Sequence, residues 1–348
     1  MGTYPGQYPY RFAEFEFPID EGRHDLTQGA LSPLEWWYVV SHLDGDDGHR
    51  YFVFLCWFSS RSLQVAITDL TTGQRWTHAQ RYGPGEVQIE SGRMKLDFAG
   101  NVLENSEPFA YRSRVTGPET AIALDYYAKR IPFPVGEEGG RPGFFHFPDG
   151  GYTWYYTQSR LETTGVLTLD LASGGKKIRV RGLSWLDRQW GMFLPVGTWR
   201  WEWMAIRVDL ARGDYPVVGP LDYNAWNVRD ARTGSLLWNM ATVLYPDNSV
   251  RVGTARMDAL ARWTSPQGYT YSHGWKVSLS VCKTPALKLR VTPVVADQTQ
   301  PMASRLGVNL PERRPEFWEG ACDVYLDKLG GRRVGSATVE LTQHYNRA

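Results

Sequence analysis

Every second residue of Trp199-Arg200-Trp201-Glu202-Trp203 is a tryptophan. Side chains on a strand alternate between its two faces, so a strand here puts Trp199, Trp201, Trp203, Ala205 and Arg207 on one side. Three indoles in a row make a broad, flat, apolar wall. Such a wall suits a cavity that holds a rigid apolar molecule, and it equally suits a packed core or a domain interface. Both uses require a β-sheet with one strongly aromatic face.

The rest of the chain reads the same way. Helical periodicity is hard to find, while short apolar runs punctuated by Gly turns recur. Residues 35–43 and 50–58 flank the polar turn Asp44-Gly45-Asp46-Asp47-Gly48 as a hairpin. Residues 166–171 and 177–180 flank Ala172-Ser173-Gly174-Gly175 as another. Further strands are predicted over 63–70, 223–229, 236–244, 275–281, 287–291, 321–326 and 336–341. Regular short strands of this kind predict an all-β protein of sandwiches or barrels. The Gly/Pro-rich stretch 134–143 reads as a long loop, either a lid or a connector. A second break, 191–197, reads as a domain junction. The length of 348 residues accommodates two domains, and 42% apolar content supplies a core for each.

Several function classes are poorly supported. The 38 basic and 37 acidic residues nearly cancel, which gives no electrostatic footing for nucleic acid or an anionic membrane. Cys56, Cys282 and Cys322 are odd in number and widely spaced, and the seven His are scattered, so neither a disulfide framework nor a metal site is expected. The first residues have no basic and apolar signal-peptide pattern, and no run approaches ~20 apolar residues, so no transmembrane segment is expected and the cytoplasm is the simplest location. There is no Gly-x-Ser-x-Gly elbow, dinucleotide fingerprint or phosphate loop, and no cofactor is expected.

An ordered set of segments carries a resemblance. It runs from Phe17-Pro18-Ile19-Asp20 and Glu35-Trp36-Trp37-Tyr38 through Tyr155-Tyr156-Thr157-Gln158-Ser159-Arg160-Leu161 to Val180-Arg181-Gly182-Leu183-Ser184-Trp185-Leu186-Asp187-Arg188-Gln189-Trp190. It continues through Trp199-x-Trp201, Thr292-Pro293, Asp297-Gln298, Phe317-Trp318-Glu319-Gly320 and Val339-Glu340-Leu341-Thr342. Together these resemble the carotenoid 1,2-hydratase/AttH-like superfamily of lipocalin-type proteins, which includes fungal decalin-forming Diels–Alderases. The resemblance implies two consecutive lipocalin-like β-barrel or sandwich domains, 1–192 and 193–348, with a ligand site in or between them. It does not fix one reaction. The chain departs from the pattern at Gln189, where Glu is common, and at Ser336-Ala337-Thr338, where Gly-Tyr is more usual. The first departure removes a carboxylate partner for Asp187.

Alternation groups Trp185, Asp187 and Gln189 on one face. A desolvated Asp187 has a raised pKa and can act as a general acid on an alkene, with indoles facing the resulting cation. Pairing of Asp187 with Arg160 or Arg207 is the structural alternative. Glu35 is likewise either catalytic or paired with Arg160. Of the phenols at Tyr155 and Tyr156, one serves each face, and Tyr156 is taken with Asp187 and Glu35 as the catalytic set. Trp36, Tyr38, Trp185, Trp199, Trp201, Trp203, Arg207, Asn224 and Trp226 are the expected substrate-binding residues. His146, flanked by aromatics, is a weaker candidate base. The expected function is a cofactor-free enzyme that reshapes a hydrophobic polyene, polyketide or isoprenoid. Intramolecular cyclisation is favoured because the chain offers a rich aromatic wall and neutral hydrogen-bond donors while Asp187 has no evident second carboxylate; acid-catalysed alkene hydration is the main alternative. A non-catalytic lipocalin-type carrier and an assembly protein with an aromatic interface remain open. The expected partner is a hydrophobic small molecule; the oligomeric state is not indicated.

Overall fold

The computed structural model describes residues 8–26, 33–193, 199–281, 284–301, 316–328 and 331–342. Cys282 and Thr198 lie outside them. The protein is all-β, with two consecutive barrel or sandwich domains. The first sheet contains Pro33–Gly45 (β1), Arg50–Phe58 (β2), Ser62–Asp69 (β3), Arg75–Arg81 (β4), Val87–Ile89 (β5), Lys95–Phe98 (β6), Asn101–Glu107 (β7), Ala110–Thr116 (β8), Thr120–Ala128 (β9), Tyr152–Leu169 (β10) and Lys176–Met192 (β11). Its strand order is β4-β3-β2-β1-β11-β10-β9-β8-β7-β6-β5, all antiparallel.

The second sheet contains Trp199–Leu210 (β12), Gly219–Asp230 (β13), Leu236–Leu244 (β14), Val250–Thr264 (β15), Thr270–Val281 (β16), Leu287–Pro293 (β17), Glu316–Leu326 (β18) and Arg333–Leu341 (β19). β17 pairs with β16 on one side and β18 on the other, which closes this sheet into a barrel. The strands predicted from the sequence are present, and most run longer: 166–169 form the end of the 18-residue β10, with Leu171 already in a short 3-10 turn, and 177–180 lie at the start of the 17-residue β11.

Continuous apolar runs explain how the two sheets meet. In β2, Tyr51, Val53, Leu55 and Trp57 enter the core of the first domain, while Phe52, Phe54 and Cys56 enter a third core between the sheets. In β12, Met204, Ile206 and Val208 fill the second barrel, while Trp199, Trp201, Trp203 and Ala205 face the first sheet. A strand buried on both faces loses the apolar–polar alternation of a half-solvated one. By contrast, β9 faces water on one side and alternates buried and partly exposed residues. The indole wall therefore belongs to an interdomain core.

The Gly/Pro stretch 134–143 is an ordered hairpin. Phe133–Pro134 pairs with β10, and Glu137–Glu138 pairs with Arg141–Pro142 around Gly139 and Gly140. Both of these glycines have positive φ, 61° and 75°, a conformation that glycine adopts at little cost. The Gly136 amide donates to Thr242 Oγ1 (2.8 Å), tying the hairpin to the second barrel. No helix among the described residues is long and apolar enough to cross a membrane.

Candidate functional site

A small cleft opens in the interdomain core. The first sheet contributes Trp36, Tyr38, Tyr155, Asp187 and Gln189; the second contributes Trp201, Trp203, Trp226 and Glu340. Antiparallel register sets the first group side by side. Asp187 of β11 lies opposite Tyr38 of β1, and Gln189 lies between Trp36 of β1 and Tyr155 of β10. In the second sheet, Trp203 is opposite Trp226 on β13 and Glu340 on β19.

Asp187 is buried without a cation partner among the described residues. Tyr155 donates its hydroxyl to Oδ2, and Trp185 donates Nε1–H to Oδ1 at 2.7 Å. Burial pushes its carboxyl up to about 7, although these donors oppose the shift and Glu340 adds to it. Asn224 fixes the second layer. Its Nδ2 donates to the Tyr155 hydroxyl (2.6 Å), and its Oδ1 accepts from Trp226 (2.8 Å) and Trp203 (3.1 Å). One amide thus orients the phenol that holds Asp187 and two indoles of the wall.

The carboxyls of Glu340 and Glu319 face each other across β19 and β18. Two buried carboxylates at directly opposed positions repel, so the pair retains a proton. Burial, reinforced by Glu340, holds Glu319 well above the usual carboxylate range, and burial pushes Glu340 up to about 7. Trp201 donates Nε1–H to Glu340 (2.5 Å), and Tyr38 donates its hydroxyl to Glu319 (2.6 Å). These two glutamates were not among the expected site residues. Only the segments that carried the resemblance contained a hint of them.

The expected residues divide into four groups. Asp187, Trp36, Tyr38, Trp201, Trp203 and Trp226 line the cleft; Trp185 and Asn224 stand behind it as hydrogen-bond partners. Trp199 shares the wall's face but stacks on Phe147, with ring centroids 4.7 Å apart. Arg207 shares that face too, farther along β12. It donates to the Ser159 carbonyl (3.4 Å), and burial pulls its guanidinium down to about 10.

Tyr156 and Glu35 are not brought to the cleft. Tyr156 points into the first domain's core, against Phe17 (5.0 Å) and Phe15 (5.4 Å), while its neighbour Tyr155 supplies the cleft phenol. The expected Glu35–Arg160 pair is replaced by Glu35–Arg188 (2.8 Å), with His24 Nδ1 also 2.8 Å away. Burial alone would raise the Glu35 carboxyl, but Arg188 and His24 hold it below its usual range. It is a structural ion pair on the opposite face of the sheet. Arg160 instead binds Asp222 (2.8 Å), and His146 is an exposed partner of Glu138 (3.0 Å). Among the described residues, no three His, Cys, Asp or Glu side chains are arranged to hold a metal ion.

The fold has known counterparts. A candidate AttH from Nitrosomonas europaea aligns at 20% identity and a TM-score of 0.75, covering 99% of this chain and 100% of that one. Kievitone hydratase from Nectria haematococca aligns at 16% identity and a TM-score of 0.65, covering 97% and 96%. At these identities the likeness is one of fold. No curated protein sequence matches the chain. The family profile described as AttH-like matches residues 8–344, and the chain belongs to that family.

Proposed function

We propose that the protein is a hydro-lyase-type enzyme that adds water to an alkene of a hydrophobic substrate in the interdomain cleft. One observation carries this reading: Asp187 and Glu340, from different sheets, line a single indole-walled cleft, and burial brings both carboxyls to about 7. One ground for shape-driven cyclisation was that Asp187 stood without a second carboxyl; Glu340 and Glu319 remove that ground, while the aromatic wall and the neutral donors suit either reaction. The kievitone hydratase fold likeness supports hydration as the reaction class.

In the proposed cycle, protonated Asp187 gives its proton to one alkene carbon. Tyr155 and Trp185 then hold the resulting carboxylate with two hydrogen bonds. The cation at the neighbouring carbon faces Trp201, Trp203 and Trp226, whose ring quadrupoles attract it by ~2 kcal/mol or more when desolvated. Water forms the new C–O bond and loses a proton to the Glu319–Glu340 pair. Proton return to Asp187 completes the addition of one water.

The test is incubation with extracts of the producing strain and with hydrophobic trisubstituted alkenes in 18O-labelled water. Wild-type protein is expected to give a product heavier by one labelled water. Asp187→Asn should give none, with an unchanged far-UV CD spectrum. The wild-type rate should fall as pH rises through about 7 and Asp187 loses its proton. An isomeric product of unchanged mass would establish cyclisation instead, and recovery of unchanged ligand would establish a carrier.

A further inference from the structure

Of the buried polar side chains lining the cleft, all but Gln189 have a hydrogen-bond partner. Asp187 is held by Tyr155 and Trp185, Glu340 by Trp201, Tyr38 by Glu319, and Trp203 and Trp226 by Asn224. Gln189 is fully buried, yet neither its Nε2 nor its Oε1 has a partner among the described residues. Buried amides are rarely left this way, because both atoms lose water and gain nothing in return. The position is also constrained. Tyr155 and Trp36 flank it in register, and the Tyr155 hydroxyl is already committed to Asp187 and Asn224.

We propose that Gln189 anchors the substrate by a neutral group that presents an acceptor and a donor side by side, such as a lactam, a carboxamide or a hydroxyl beside a carbonyl. The pairing follows from the amide itself: Nε2–H needs an acceptor and Oε1 needs a donor. The group is neutral because, among the described residues, no Lys or Arg lines the cleft to balance an anion. Two residues along a strand span about 7 Å, so the anchored group lies about that far from the position opposite Asp187. Gln189 is thus a positioning residue that sets which carbon of the substrate meets the acid. This inference rests on the hydration reading for its site, but its test is a binding measurement that needs no turnover.

The probes are 2-quinolone, a flat lactam with adjacent N–H and C=O, and naphthalene, which has the same bicyclic shape and neither group. Quenching of tryptophan fluorescence gives both dissociation constants. Wild-type protein is expected to bind 2-quinolone more tightly by about tenfold or more, as two added hydrogen bonds imply. Gln189→Leu and the better-matched Gln189→Met should erase that preference while keeping the naphthalene affinity, which also reports an intact cleft. Equal selectivity in wild type and in a folded variant, or no saturable quenching of wild type by either probe, overturns the anchor. Labelled-water incorporation is read separately. Its absence with the lactam preference intact overturns hydration and leaves the anchor standing; its presence with the preference missing does the reverse.

Discussion

Asp187 couples the cleft's chemistry to the stability of the fold. Burial disfavours the charge and pushes its carboxyl up to about 7 in the folded protein, whereas a free aspartate titrates at about 3.9. The folded state therefore binds a proton that the unfolded chain releases between about pH 4 and pH 7. Stability is fully present below that window and falls across it, then levels off above the folded pKa. The slope from one such group is about 1.4 kcal/mol per pH unit. Asp187→Asn removes it, because an amide does not titrate. Urea unfolding from pH 4 to pH 8 should show a shallower decline for the variant than for wild type. Parallel curves would mean that Asp187 is ionised throughout in the folded protein, and general-acid chemistry at this residue would fail with that result.

At the scale of the strand, β12 shows what alternation can and cannot reveal. Period two was enough to place Trp199, Trp201 and Trp203 on one face, and Trp185, Asp187 and Gln189 on another. It could not label the faces. Tyr155 and Tyr156 differ by one position, and only the packed sheet shows that the first meets the cleft and the second the barrel core. Glu340 was harder still, since its place beside Trp201 depends on β12 pairing with a strand over 130 residues downstream. No local pattern encodes that register. The hydrogen bond from Trp201 to Glu340 gives the strand a polar role beside its apolar one. Trp201→Phe keeps a ring in the wall and deletes the donor. It should cost about 1–3 kcal/mol in urea unfolding, the usual penalty for stranding a buried polar group. Naphthalene binding should change little. A loss of binding without a loss of stability would show that the indole matters for shape alone.

Across the whole molecule, the two-domain all-β architecture was legible because turns and apolar runs are local signals. The seam between the domains was not, because its residues come from both sheets. One buried polar contact across it is Asp222 on β13, which accepts from Arg130 (2.7 Å), Arg160 (2.8 Å) and Ser159 (2.8 Å) of the first domain. Both arginines are themselves largely buried, with side chains 7% and 12% exposed. Breaking a buried ion pair by removing one partner leaves charge unpaired in the interior, at a cost of about 3–5 kcal/mol. Asp222→Asn should therefore lower the melting temperature and, because the lost contacts all cross the seam, separate calorimetric unfolding into two transitions. The cleft is walled by both sheets, so the same substitution should weaken naphthalene binding from a distance. A single transition at the wild-type temperature would show instead that the aromatic interdomain core and the remaining cross-domain hydrogen bonds, such as Tyr38–Glu319 and Gly136–Thr242, join the domains without Asp222 and hold the acid of the first sheet in register with the glutamate pair of the second.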